Sequence, residues 1–162
     1  MTNSLYFCDS NIWLYRLLID PECNDAAERR KRNLAAALTS RENILISTQI
    51  IKEVCAVLSK KAKISEIQIR EIIQEFYDGC VVIQLDRNII LRASELRTQY
   101  SFSFWDSLIV ASALASDASI LYSEDMQDGL IISNQLTLIN PFRSSWLSVW
   151  YYWITHLINS DE

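Results

Sequence analysis

Short apolar runs recur along this chain, and each is followed by a longer stretch with helical spacing. Ser4–Cys8, Ile44–Ile46, Cys80–Leu85, Ser119–Tyr122 and Leu136–Ile139 are too short for helices and rich in strand-forming residues. Helical segments are read at Asn11–Ile19, from a cap at Asn24 to near Leu38, from a cap at Thr48 to Lys60, at Asn88–Arg97 and at Phe104–Ser116. Pro21 closes the first of these, and the second carries the basic run Arg29-Arg30-Lys31-Arg32. One more helix opens with the capping-box spacing Ser65-Glu66-Ile67-Gln68, carries the stripe Ile69, Ile72, Ile73 and Phe76, and stops at Gly79. Alternation of this kind predicts a mostly parallel sheet with helices on both faces. Sites in such sheets lie outside the carboxyl ends of the strands, which says where to look for chemistry.

A length of 162 residues suits one domain with a substantial core, and two glycines and two prolines leave little material for linkers. The formal charge of −5 argues against a protein that binds nucleic acid by bulk charge alone. It leaves open an enzyme that holds RNA through a few local cations and a metal. Four scattered cysteines and the single His156 offer no zinc spacing, and three of the thiols sit in apolar surroundings. No secretory pattern precedes them, so the expectation is a cytoplasmic protein with reduced thiols. No apolar run reaches the roughly 20 residues that span a bilayer.

Acids stand at the strand ends. Asp9 follows the first strand directly, and Asp125 lies just past Ser119–Tyr122, so in a parallel sheet both face one edge. Glu53 borders the apolar face of its helix, and Asp106 begins an inward-facing row with Ile109 and Val110. Each has an ordinary structural explanation: Asp9 and Asp106 as helix caps or first-turn acids, Glu53 as a residue at the solvent boundary. Glu124 and Asp128 read as solvated loop charges. Four acids from separate parts of the chain have no structural reason to converge on one sheet edge, however, and converging carboxylates raise one another's pKa unless a cation joins them. Oxygen-only ligands suit Mg²⁺ or Mn²⁺.

The segments "DSNIWLY" at 9–15, "IIKEVCAVL" at 50–58, "SFWDSLIVASAL" at 103–114 and "LYSEDMQDG" at 121–129, in that order, resemble the PIN-domain ribonucleases. The likeness is strongest to the VapC-like toxins of bacterial toxin–antitoxin pairs, and it covers roughly residues 4–143. It implies a three-layer α/β/α sandwich around a parallel sheet. It also implies that Asp9, Glu53, Asp106 and Asp125 hold Mg²⁺ or Mn²⁺ for phosphodiester hydrolysis of RNA. Ser10 and Asn11 match the small polar residues after the first acid, and Ser123 stands where the family orients its last carboxylate. Asp128 falls outside the pattern and is left as an outer-shell group. Asp9 and Asp106 are expected as direct ligands; Glu53 and Asp125 ligate, bind through water or orient the nucleophile. Arg29, Arg30, Lys31, Arg32, Lys60, Lys61 and Lys63 are candidates for holding the RNA backbone, or simply solvated helix faces.

The resemblance defines a nuclease-like region of 1–143 and leaves an aromatic-rich extension of 144–162. Read as a helix, the extension carries one stripe of Trp146, Trp150, Trp153 and Leu157, though strand alternation fits nearly as well. Packing onto the domain is the first reading and a homodimer or antitoxin-facing surface the next; lying flat on a membrane comes last, since the segment lacks Lys, and it is too short to span one. Two other function classes stand beside the ribonuclease. One is a non-catalytic PIN-like module that works by binding a protein. The other is an acid-centred phosphotransfer domain, which would want a second Asp where Asn11 stands and a lysine after a later strand.

Overall fold

The computed structural model describes residues 5–19 and 22–143. Its elements are β1 (Tyr6–Cys8), α1 (Ser10–Leu17), α2 (Ala26–Thr39), β2 (Ile44–Ser47), α3 (Thr48–Lys61), α4 (Glu66–Gly79), β3 (Val81–Ile83), α5 (Arg87–Gln99), α6 (Phe104–Ala115), β4 (Ile120–Tyr122), β5 (Ile131–Ile132) and β6 (Leu136–Ile139). They form a three-layer α/β/α sandwich around one sheet of order β3-β2-β1-β4-β6-β5. Strands β1, β2, β3, β4 and β6 run parallel; β5 pairs antiparallel with β6.

The chain builds outward from β1 through β2 to β3, then returns to the other side of β1 to lay down β4. Strand order therefore reverses between β1 and β4. A crevice opens at the carboxyl ends of two strands whose connections leave in opposite directions. The β1–β4 register places Cys8 opposite Tyr122, so Asp9 and Ser123 are the first residues beyond the paired ladder. The Asp9 N–H still donates to the Tyr122 carbonyl at 3.0 Å, and the Ser123 N–H to the Ile139 carbonyl at 3.0 Å, which pins both residues.

Helices α1 to α4 pack on one another, and α5 pairs with α6. The Trp13 ring meets Phe76 edge-on at 4.9 Å and ties α1 to α4. Seven consecutive residues of α6, Ser107–Ala113, are buried, which is why its sequence lacks an amphipathic stripe. Its buried hydroxyls are satisfied within the helix: Ser107 donates to the Phe104 carbonyl at 2.7 Å and Ser112 to that of Leu108 at 2.8 Å.

Several boundaries differ from the sequence expectation for identifiable reasons. Helix α1 ends at Leu17; its expected stop at Pro21 and the first expected strand residue, Ser4, lie outside the described residues. Asp25, not Asn24, caps α2 by accepting from the Ala27 N–H at 2.9 Å. Ser47, not Thr48, caps α3. Asp86 caps α5 through the Ile89 N–H at 2.8 Å and starts that helix one residue before Asn88. Strand β3 is only Val81–Ile83, an edge strand with Val81 exposed. Strand β5 had no periodic signal at two residues; it exists because Ser133 and Asn134 both take positive φ and the Gln135 N–H closes a turn onto the Ile132 carbonyl at 3.0 Å. The box at Ser65 and Gln68 forms as read. The 144–162 extension, including His156, lies outside the described residues. No helix among the described residues is long and apolar enough to cross a membrane.

Candidate active site

Asp9 is the centre of the crevice. As the N-cap of α1 it accepts from the Ser10 N–H at 2.6 Å and the Ser10 hydroxyl at 3.3 Å through Oδ1. Its Oδ2 accepts from the Ser123 hydroxyl at 2.7 Å and from Asn11 Nδ2 at 3.4 Å. Only 5% of the residue is exposed, and none of these partners is a cation. Burial pushes its carboxyl from the ordinary 3.8 up to about 6; the Ser123 and Ser10 hydrogen bonds pull the other way, and the charges of Glu53 and Asp106 push it further up. The three acids thus share one electrostatic neighbourhood.

Each of the others is held by its own element. Glu53, half-buried on α3, accepts from Gln49 Nε2 at 2.7 Å, and the same nitrogen reaches the Trp105 carbonyl at 3.2 Å. Gln49 thereby ties α3 to the start of α6, while its buried Oε1 has no partner. Asp106 sits in the first turn of α6: its N–H donates to Ser103 Oγ at 3.0 Å, and the Ser103 hydroxyl donates back to Oδ2 at 2.7 Å. Cap and crevice are therefore not alternatives for Asp106, since a capped first turn also faces Asp9. Asp125 is exposed on the loop after β4 and is linked to Asp9 by Asn11, whose Nδ2 donates to the Asp125 Oδ2 at 3.2 Å. Ser123 shapes that loop by accepting from the N–H groups of Asp125 and Met126, both at 3.3 Å.

The donor set is all oxygen, and a desolvated carboxylate stands among like charges. Both features fit a hard divalent cation of the Mg²⁺ or Mn²⁺ type. Among the described residues, no three acidic, cysteine or histidine side chains stand close enough to share one ion. The spacing thus suits one or two direct carboxylates with the remainder reaching through water, the usual mode for Mg²⁺.

The sequence profile of the PIN domain matches residues 6–127. The chain belongs to the PIN domain family. Among curated proteins none matches it. Solved structures share its fold. A toxin–antitoxin complex from Klebsiella pneumoniae superposes with a TM-score of 0.56 at 19% identity, covering 85% of this chain and 98% of that one. VapBC2 from Rickettsia felis, bound to a DNA fragment from its promoter, gives 0.57 at 22% identity over 84% and 99%. VapC20 from Mycobacterium tuberculosis, a sarcin–ricin-loop-cleaving toxin, gives 0.54 at 14% identity over 72% and 86%.

Two loop acids of this PIN domain are not freely solvated, contrary to the sequence expectation. Glu124 is three-quarters buried and pairs with Lys31, which also donates to the Tyr15 hydroxyl at 3.0 Å and lies over the Tyr15 and Phe142 rings. That engagement raises the Lys31 pKa and withdraws this lysine from the set of open cations. Asp128 accepts from the Asn140 N–H at 2.8 Å and reaches Arg143 at 3.5 Å, so it fastens the loop to the end of β6. Arg32 pairs with Glu28, whereas Arg29, Arg30, Lys60, Lys61 and Lys63 are exposed.

Sequence reasoning passed over Gln49 and the Lys31–Glu124 pair. For Gln49 a signal was present, its i,i+4 spacing to Glu53 on a buried helix face. The Lys31–Glu124 pair spans 93 positions and had none. Next to Asn11 and Glu124 a groove of about 660 Å³ is walled by Leu14, Leu17, Leu18 and Ile64, with Glu28, Arg32 and Lys61 also on its lining.

Proposed function

We propose that this PIN domain is a divalent-metal-dependent endoribonuclease and the toxin of a toxin–antitoxin pair. The observation that carries the reading is Asp9, nearly buried at the β1/β4 switch point, within electrostatic reach of Glu53 and Asp106 and with no cationic side chain bonded to it. Such a carboxylate is costly to keep unless a cation completes it. Asp9 and Asp106 would hold Mg²⁺ or Mn²⁺ directly, with Glu53 and Asp125 ligating, reaching it through water or orienting the nucleophile. A bound ion of this kind polarises the scissile phosphate and acidifies a bound water.

The chain's own groups set the stage for that chemistry. Ser123 and Ser10 hold Asp9 in one orientation, and Asn11 bridges it to Asp125. Gln49 fixes Glu53 relative to Trp105 and hence to Asp106. RNA as the substrate is supported by the family and by the named target of the M. tuberculosis structure. An antitoxin partner is supported by the complexes that share the fold and by the partly apolar groove abutting Asn11 and Glu124. The four free cysteines are in keeping with a reducing, cytoplasmic setting.

Cleavage of a structured RNA by the purified chain tests the reading. It predicts activity with Mg²⁺ or Mn²⁺, none in EDTA, and none in Asp9→Asn or Asp106→Asn; undiminished cleavage by both variants would refute it. A stable protein complex with no calorimetric signal for Mn²⁺ would instead establish a non-catalytic module that works by binding a protein.

A further inference from the structure

Two aromatic side chains that directly precede Asp106 in the chain are left in solvent. Trp105 is 64% exposed and Phe104 39% exposed, on the first turn of α6 immediately before Asp106. Their rings meet in an edge-to-face arrangement, centroids 6.1 Å apart at 74°, so Phe104 stands against Trp105 while much of the indole stays open. Arg97, exposed on α5, places its guanidinium 5.7 Å from the Phe104 ring centre and has no acidic partner among the described residues. The step is also anchored: the Trp105 carbonyl is held by Gln49, the residue that holds Glu53. An exposed tryptophan is costly in water, and here it sits on the backbone that positions two of the site acids.

The net charge of −5 and the acid cluster itself repel a polyphosphate chain. Attraction must then come from contacts that carry no charge penalty, or from isolated cations. Stacking of a base on an aromatic face meets the first need, and a guanidinium beside it meets the second. A paired duplex presents neither a free base face nor an unstacked nucleotide, so the arrangement selects single-stranded or looped RNA.

Resting on the ribonuclease reading, we propose that Trp105 is a stacking platform for an unpaired base next to the scissile phosphate, with Phe104 as its brace and Arg97 contacting the adjoining backbone. Trp105 is a substrate-positioning residue in this assignment and takes no part in bond cleavage.

The test is steady-state cleavage in Mn²⁺ of a ten-nucleotide single-stranded RNA carrying a fluorophore and quencher, by the full chain and by Trp105→Ala, Trp105→Phe and Arg97→Ala. Trp105→Ala should raise KM about tenfold with kcat within about twofold, because one base–aromatic stack is lost. Trp105→Phe should recover most of that loss, and Arg97→Ala should lower the salt dependence of KM by about one phosphate contact. Unchanged KM in Trp105→Ala, with the wild type active, overturns the platform and leaves the nuclease reading intact. A fall in kcat alone, unrescued by Trp105→Phe, overturns it as well. A wild type that neither cleaves nor binds this RNA overturns both.

Discussion

Asp9→Asn in the metal-free protein tests the electrostatics of the crevice without any assay of activity. The Asp9 carboxyl rises from 3.8 to about 6 on folding, mainly through burial. The folded state therefore binds this proton more tightly than the unfolded chain. Its contribution to stability is complete below pH 3.8 and is lost as pH rises through 6. A shift of about two units corresponds to about 3 kcal/mol. Asparagine removes the proton equilibrium while keeping the shape and an acceptor for Ser123. Urea unfolding in EDTA at pH 4, 5, 6 and 7 should show wild-type stability falling relative to Asp9→Asn, by about 2 kcal/mol across the range, the remainder lying below pH 4. Saturating Mn²⁺ at pH 7 should reverse the order, because binding to the folded form stabilises it. A difference that stays flat with pH, or wild type gaining on the variant as pH rises, would refute the reasoning.

Further consequences follow from the same contacts. Ser123→Ala removes the donor to Asp9 and strands two loop N–H groups; it should cost about 1–3 kcal/mol in urea unfolding. Asn11→Ala cuts the link between Asp9 and Asp125, and should weaken Mn²⁺ binding by calorimetry on the order of 10-fold while stability changes little. Metal-free Asp106→Asn keeps an acceptor for Ser103 and relieves repulsion with Asp9, so its melting temperature should match or slightly exceed the wild type; a clear drop would show that the helix-start charge dominates.

Much of the architecture was legible because it rests on local patterning. The α4 capping box and its apolar stripe, the buried runs of β1 and β2, and the acids following β1 and β4 are all short-range features. The site centre was legible for the same reason: parallel strands send their carboxyl ends to one edge, so Asp9 and the Ser123–Asp125 loop had to meet. What escaped is long-range or stereochemical. Glu124 pairs with a lysine on α2, and nothing near either residue announces the other. Strand β5 depends on two residues at positive φ, which neither Ser133 nor Asn134 signals as glycine would. Asp106 shows how the two levels overlap. Its cap is readable from Ser103, yet its effect on Asp9 is a product of the whole sheet.

Manganese binding, followed by the electron paramagnetic resonance of free Mn²⁺ at pH 7.5, addresses directly whether these acids share a cation. The account predicts that the full chain depletes the free-ion signal saturably and that Asp9→Asn and Asp106→Asn each abolish or sharply weaken that depletion. Equal binding by wild type and both variants, or none by any of the three, would contradict it.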